Sequence, residues 1–268
     1  MCGLQFIDNR RLNPVEIWTF YAEDKQTYAQ LARHYCCSAK TIERSIDRVR
    51  IDTEKTFNSV ANVLIDTIYF GQSFGVMEFR DSLINKILYR QYVKYETNAL
   101  YFSGIAEIRH RGIHIQSIIC DGRKGLFGLF GYIPMQVCQF HQVCIVVRYL
   151  TRKLQTDSAK ELKSLTLRIT KLSKSEFTEK LEAWHPKWRN HPDQRNVSST
   201  AGKSFYTRKR LRSAYLSFKR NLPVLFTFDD YGELMIPTTT NALDGCFSDL
   251  KNKLRNQRFV QTTENEVY

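Results

Sequence analysis

The sequence has no Cys-x-x-Cys pair, no internal repeat and no low-complexity tract. It also has no apolar run approaching the ~20 residues that span a bilayer. Its seven cysteines (2, 36, 37, 120, 138, 144 and 246) are odd in number and scattered. That argues against a disulfide framework and for a reducing compartment. Twelve glycines and six prolines in 268 residues are too few for a collagen-like or disordered chain. The opening MCGLQFIDNRRLN lacks the basic-then-apolar order of a signal peptide. These absences exclude the membrane, secreted and disordered classes. The expectation is a cytoplasmic protein with no membrane partner.

One charge is missing locally. Residues 221–250 contain no Lys or Arg but five acids: Asp229, Asp230, Glu233, Asp244 and Asp249. Residues 151–220 carry 18 Lys/Arg against six Asp/Glu, whereas the rest of the chain carries 22 against 21. Nearly all of the net charge of +13 therefore lies in one segment. Such a segment is the footprint of a phosphate-bearing partner, or else a solvated helical surface.

Helical spacing fills the first 50 residues. Asn13 and Pro14 read as a cap and first turn, with Val15, Ile17, Trp18 and Tyr21 as a loose apolar face. A second helix spans 27–35. After Cys36-Cys37-Ser38 a third runs from Ala39 to about Arg50, with Ile42, Ile46 and Val49 inward. QTYAQLARHYCCSAKTIERSIDRV thus has the grammar of a helix-turn-helix, which any helical hairpin shares. Lys40, Thr41 and Arg44 stand where groove contacts fall, and Arg48 where a phosphate would lie.

From residue 60 the period changes to that of strands. ANVLIDTIYF and FGVMEFR read as a hairpin about Gly71, and KILYRQYVKY as a third strand. Residues 97–112 read as a helix closed by Gly112, IHIQSIIC as a buried strand, and QVCQF as another ending at His141. The order β-β-β-α-β-α-β predicts an α/β fold, a mixed sheet carrying helices. Residues 142–220 read as helical, with Phe177, Leu181, Trp184 and Trp188 as core rather than stacking platforms, and two prolines in HPKWRNHPDQRN as breakers. YTRKRLRSAYLSFKR is a basic helix in which Arg208, Lys209, Arg210 and Arg212 can track phosphates. Thr238–Thr240 can cap a helix running to about residue 256.

Two acids stand out. Asp66 lies inside VLIDTIYF, and Asp121 ends IIC before a flexible GRKG. A carboxylate in a central strand needs a partner or a metal, because an isolated buried charge is costly. Strand-end acids 55 residues apart meet if their strands are neighbours. With Asp244 at the start of the last helix, three acids can hold two divalent cations about 4 Å apart for in-line phosphoryl transfer. Mg²⁺ (or Mn²⁺) suits this work because it takes oxygen ligands. Alone, Asp244 is also explained as helix N-terminal charge. Cys138-x2-His141-x2-Cys144 offers only three candidate zinc ligands at a spacing unlike a zinc knuckle, and a hydrogen-bonded core histidine explains His141 as well.

VLIDTIYFG, ICDGRKGLFGLF, PMQVCQFHQ and TTTNALDGCFSDLKNKLR together resemble the Mutator-type transposases, the bacterial insertion-sequence members with an RNase H-like catalytic domain. The resemblance covers residues 1 to about 256. It implies Asp66, Asp121 and Asp244 as catalytic, metal-binding acids, Asp244 replacing the family's usual Glu. It implies Cys138 and His141 as active-site support on the next strand. It also implies a helical insertion at about 142–220 within a catalytic domain of 59–268, after a DNA-binding region at 1–58. Cys2, Gly3 and Phe6 resemble the remnant of a zinc ribbon at 1–6, and the C-terminal LRNQRFVQTTENEVY turns polar where relatives continue. Truncation at both ends is therefore expected. The activity implied is binding of terminal inverted repeats and Mg²⁺-dependent cleavage and strand transfer on double-stranded DNA, by a homodimer or larger assembly. The alternatives are a truncated, inactive DNA-binding relic or repressor, and an RNase H-like nuclease or resolvase.

Overall fold

A computed structural model describes residues 12–49, 58–71, 74–150, 156–197, 204–243 and 247–248. They fall in two compact units, and each is described by itself.

The first unit holds three short helices: α1 (Pro14–Ala22), α2 (Tyr28–His34) and α3 (Ala39–Ile46). Each starts on a side-chain cap. Asn13 accepts from the Val15 and Glu16 amides, Thr27 forms a reciprocal capping box with Gln30, and Ser38 accepts from the Thr41 amide. Ile17, Leu31 and Ile42 are fully buried and meet in one small core. Val15, expected on the apolar face, is 61% exposed. With three short helices there is room for only one buried layer, and each contributes one anchor to it.

The second unit is built on a five-stranded sheet. Its strands are β1 (Val60–Phe70), β2 (Phe74–Asp81), β3 (Lys86–Val93), β4 (His114–Cys120) and β5 (Met135–Val137), in the order β3-β2-β1-β4-β5. β1–β2 and β2–β3 are antiparallel; β1–β4 and β4–β5 are parallel. That order, with β2 reversed, is the RNase H-like arrangement. α4 (Asn98–His110), capped by Thr97 and closed at Gly112 (φ +80°), is the crossover from β3 to β4. α5 (Leu126–Leu129) lies between β4 and β5.

α4 lies close on the sheet because Gly104 faces Phe79 of β2. A Cβ at 104 would stand 2.1 Å from the Phe79 ring. Alanine there gains about 1 kcal/mol of helix propensity. It meets an overpacking cost of about 1–3 kcal/mol or more, and a contact this short falls at the upper end. Gly104→Ala is expected to lower the urea midpoint despite the better helix former. An unchanged or raised midpoint would contradict the close approach.

Beyond β5 the chain is mainly helical: α6 (Gln139–Leu150), α7 (Asp157–Leu167), α8 (Lys174–Trp188), α9 (Lys209–Asn221) and α10 (Thr227–Asp230). Three expectations change. First, QVCQF does not stay extended: β5 stops at Val137 and α6 starts at Gln139. Gln142, Val146 and Leu150 recur at helical spacing there and are buried. Second, Pro186 lies inside α8, on its exposed face two residues from the end. The carbonyl it frees, that of Glu182, can bond solvent there. Third, a short hairpin, β6 (Arg195–Val197) with β7 (Ser204–Tyr206), interrupts the helices. Trp184 is buried, stacks on Tyr215 and donates its indole N–H to the Ser158 carbonyl at 3.0 Å. The helical block thus has its own core, in which Phe177, Leu181 and Trp184 pack as expected beside Phe218, while Trp188 is only partly buried at its edge. Among the described residues no helix is long and apolar enough to cross a membrane.

Candidate active site

The register of the sheet brings the two strand acids together. Leu64 of β1 pairs with Ile119 of β4 in a parallel ladder. Asp66 lies two residues further along β1 and Asp121 directly after the end of β4, so the register, continued past its last pair, sets them side by side, about 4.8 Å apart backbone to backbone. β5 continues the row: Val137 pairs with Cys120, and the Cys138 amide donates to the Cys120 carbonyl at 2.8 Å, so Cys138 comes next to Asp121. On the other flank Asp66 pairs with Glu78 of β2, and Glu78 with Arg90 of β3. Arg90, Glu78, Asp66, Asp121 and Cys138 therefore form one row across the sheet on a single face.

Both acids are half-buried. Asp66 Oδ1 accepts the Thr67 amide at 2.8 Å. Asp121 Oδ1 is buried and has no hydrogen-bond partner among the described residues. A buried carboxylate oxygen left in that state beside a second carboxylate costs free energy. A divalent cation with oxygen ligands removes both the repulsion and the unmet bond, so these residues fit Mg²⁺.

Glu78 is buried and lies 3.4 Å from both the Arg80 and the Arg90 guanidinium groups. Sequence reading passed over it, although a carboxylate in the apolar run FGVMEFR is the same signal that marked Asp66.

The loop after Asp121, expected to be flexible, is pinned. Arg123 Nε donates to Asn98 Oδ1 at 3.0 Å, Asn98 Nδ2 donates to the Lys124 carbonyl at 3.3 Å, and Arg123 pairs with Glu96 at 3.7 Å. Gly125 at φ +92° lets Asn98 fit; a Cβ there would lie 2.5 Å from its amide nitrogen. Burial pushes the Glu96 carboxyl up; the polar Thr67 side chain opposes this and the Asp121 charge adds to it. Glu96 is a fourth acid near the pair, and nothing in its local sequence marked it.

Cys138 and His141 are brought together, but not on one strand. Cys138 lies at the β5–α6 junction and His141 in the first turn of α6. Burial alone would raise the Cys138 thiol, but hydrogen bonds with His141 and Thr240 outweigh it and lower it. The Thr240 amide and hydroxyl approach its sulfur at 3.4 and 3.5 Å. The hydrogen bond to Cys138 pushes His141 up to about 9, against its burial and with help from Asp66 and Asp121. Cys120, fully buried beneath, is raised to about 12, chiefly by burial. Among the described residues no three His, Cys, Asp or Glu side chains converge on one point, so Cys144 completes no zinc set with Cys138 and His141.

The third expected acid, Asp244, lies outside the described residues. The chain leading to it is held at the site: the Gln139 amide donates to the Thr238 carbonyl at 2.9 Å, and Thr240 sits on Cys138.

The expected DNA contacts divide. Lys40, Thr41, Arg44 and Arg48 are exposed. Lys40 pairs with Glu43 at 2.7 Å, and the Thr41 hydroxyl shares a bond with Ser38. Arg48 lies past the end of α3. In the helical block Lys209 and Arg210 are exposed, whereas Arg208 donates to Gln194 at 2.6 Å and Arg212 lies over the Tyr206 ring, 4.2 Å from its centroid. Sequence spacing alone did not separate these two pairs.

No protein-family model matches the chain, and no curated protein matches it. Among solved structures, the Drosophila P element transposase strand transfer complex is 10% identical, covering 93% of this chain and 81% of that one at a TM-score of 0.33. The simian T-cell lymphotropic virus intasome in complex with PP2A regulatory subunit B56 gamma is 12% identical, covering 73% of each chain at 0.24. Likenesses this faint do not define the chain; the strand order and ladder directions do, as an RNase H-like α/β fold.

Proposed function

We propose that this protein carries out metal-dependent phosphoryl transfer on DNA as a transposase of the Mutator type. The observation that supports it is the β1–β4 register, which, continued past its last pair, sets Asp66 beside Asp121 at the end of β4, with a buried Asp121 carboxylate oxygen unsatisfied among the described residues. Asp66 and Asp121 hold Mg²⁺ (or Mn²⁺), and Asp244 is the third ligand. Bound there, the metal supplies charge neutralisation at the scissile phosphate and activation of the attacking oxygen. Water and then a 3′-hydroxyl are the nucleophiles, so no covalent protein intermediate is needed. His141 and Cys138 stand beside the two acids as active-site support. α2 and α3 form the helix-turn-helix of an N-terminal DNA-binding region at 1–58, with Lys40, Thr41 and Arg44 toward bases of the terminal repeats and Arg48 on phosphate. Lys209 and Arg210, with Arg208 and Arg212 behind them, track the backbone. The assembly is a homodimer or larger, because two element ends have to be joined.

The test is cleavage of DNA carrying the flanking repeats, with and without Mg²⁺. Cleavage is expected to need the metal and to vanish in Asp66→Asn. Salt-dependent binding without metal-dependent cleavage would instead support the DNA-binding relic. Cleavage without preference for element ends would support a nuclease or resolvase.

A further inference from the structure

The face that carries the acids continues past them into an exposed aromatic surface. Along β1 the residues on the Asp66 face are Ile68 and Phe70. The ladder pairs Phe70 with Phe74 and Ile68 with Val76, and Val76 in turn with Tyr92 of β3. Phe70, Phe74 and Tyr92 therefore share the face of Asp66 and Asp121. Their rings form a chain: Phe70 stacks on Phe74 at 5.2 Å, and Tyr92 meets Phe74 edge-on at 6.1 Å. Tyr92 is 70% exposed. Two strand spacings of about 4.8 Å and two residues of about 3.3 Å put its Cα about 12 Å from that of Asp66.

The surroundings of Tyr92 say what it takes. β3 is an edge strand, and on the Tyr92 face Arg90 stands one step before it. The Arg90 side chain is 52% exposed even though it reaches Glu78. Lys94 follows two residues after Tyr92 and is exposed, its ammonium 5.7 Å from the Tyr95 ring centre. A cation on the Tyr92 face, the ring itself and an exposed cation just past the strand end combine positive charge for phosphates with a stacking surface for a base, the pairing that unpaired strands bind. Charges alone on an edge strand guard against strand pairing. A protruding ring backed by two others adds nothing to that guard and lowers solubility.

We propose that Tyr92, backed by Phe74 and Phe70, is a stacking platform for an unpaired base of the DNA strand beside the scissile phosphate, with Arg90 and Lys94 on the flanking phosphates. This rests on the reading of the acids as a DNA-cleaving centre and adds what that centre holds open: a locally melted strand rather than intact duplex.

The test uses the full chain, a blunt duplex, and the same duplex with a short single-stranded tail containing 2-aminopurine, whose fluorescence stacking quenches. The wild type is expected to bind the tailed duplex more tightly and to quench the probe. Tyr92→Ala should lose roughly 5- to 100-fold in affinity for the tailed duplex, with blunt-duplex binding and thermal midpoint unchanged, and Tyr92→Trp should retain both signals. Equal affinity and quenching in the wild type and Tyr92→Ala would overturn the platform. So would an equal loss on both duplexes, or an RNA tail bound more tightly than the DNA one. Failure of the cleavage reading is seen separately. Tyr92-dependent quenching in a protein that never cleaves leaves the platform standing and removes the catalytic assignment, and cleavage without Tyr92-dependent quenching does the reverse.

Discussion

Asp121→Asn should abolish metal-dependent DNA cleavage, by about 10³-fold or more, while DNA binding stays close to that of the wild type. The rate estimate follows from the charge stabilisation a metal provides, several kcal/mol, at about tenfold per 1.4 kcal/mol. Binding should survive because phosphate contacts come from Lys and Arg side chains elsewhere. A second readout needs no substrate. In the metal-free protein Asp121 is a half-buried carboxylate beside Asp66, one oxygen of which is buried and without a hydrogen-bond partner among the described residues. Asparagine keeps the shape and removes the charge, so the metal-free thermal midpoint should hold or rise. The rise in midpoint that Mg²⁺ gives the wild type should disappear, since a ligand stabilises only the fold that binds it. An Asp121→Asn protein that cleaves at the wild-type rate, or keeps the full Mg²⁺ shift, would remove Asp121 from the metal site.

The same pair shows how far the sequence could be read. Asp66 and Asp121 stand out because one interrupts an apolar run and the other ends one, a local and strong signal. The three-strand meander, the α4 crossover and the capped first helices were legible for similar reasons: alternation, caps and a glycine stop all act within a few residues. What could not be read was register. That Asp66 falls level with Asp121, Glu78 with Asp66, and Tyr92 two steps beyond depends on pairings between distant segments. Reading β5 one residue at a time also misled. QVCQF has strand composition, but the inward spacing of Gln142, Val146 and Leu150 belongs to a helix and places His141 in its first turn. Glu96 and Thr240 reach the site only through tertiary contacts, with Arg123 and Cys138 respectively. Their neighbours in sequence carry no trace of that.

The largest expected change in stability lies outside the site, at Trp184. Trp184→Ala removes a side chain that is 1% exposed, its stacking on Tyr215, and the only indole donor to the Ser158 carbonyl among the described residues. Truncating a buried tryptophan costs about 3–5 kcal/mol, against a total stability of about 5–15 kcal/mol for a typical domain. Trp184→Phe separates the terms: it keeps most of the apolar area and removes one hydrogen bond to the Ser158 carbonyl, which stays an acceptor within α7, at about 0.5–1.5 kcal/mol. The damage should begin in the helices, whose core is distinct from that of the sheet. It should then reach the site through β5, because buried Gln136 and Gln139 both donate to the Leu225 carbonyl, at 2.8 and 3.2 Å, where the block meets the strand that leads to Cys138. Hydrogen exchange should therefore show α7, α8 and α9 losing protection first, β5 next, and β1 and β2 last. A loss of less than about 1 kcal/mol in denaturant unfolding would contradict the burial of Trp184. Equal loss of protection at every amide would mean that the helical block and the sheet unfold as one body.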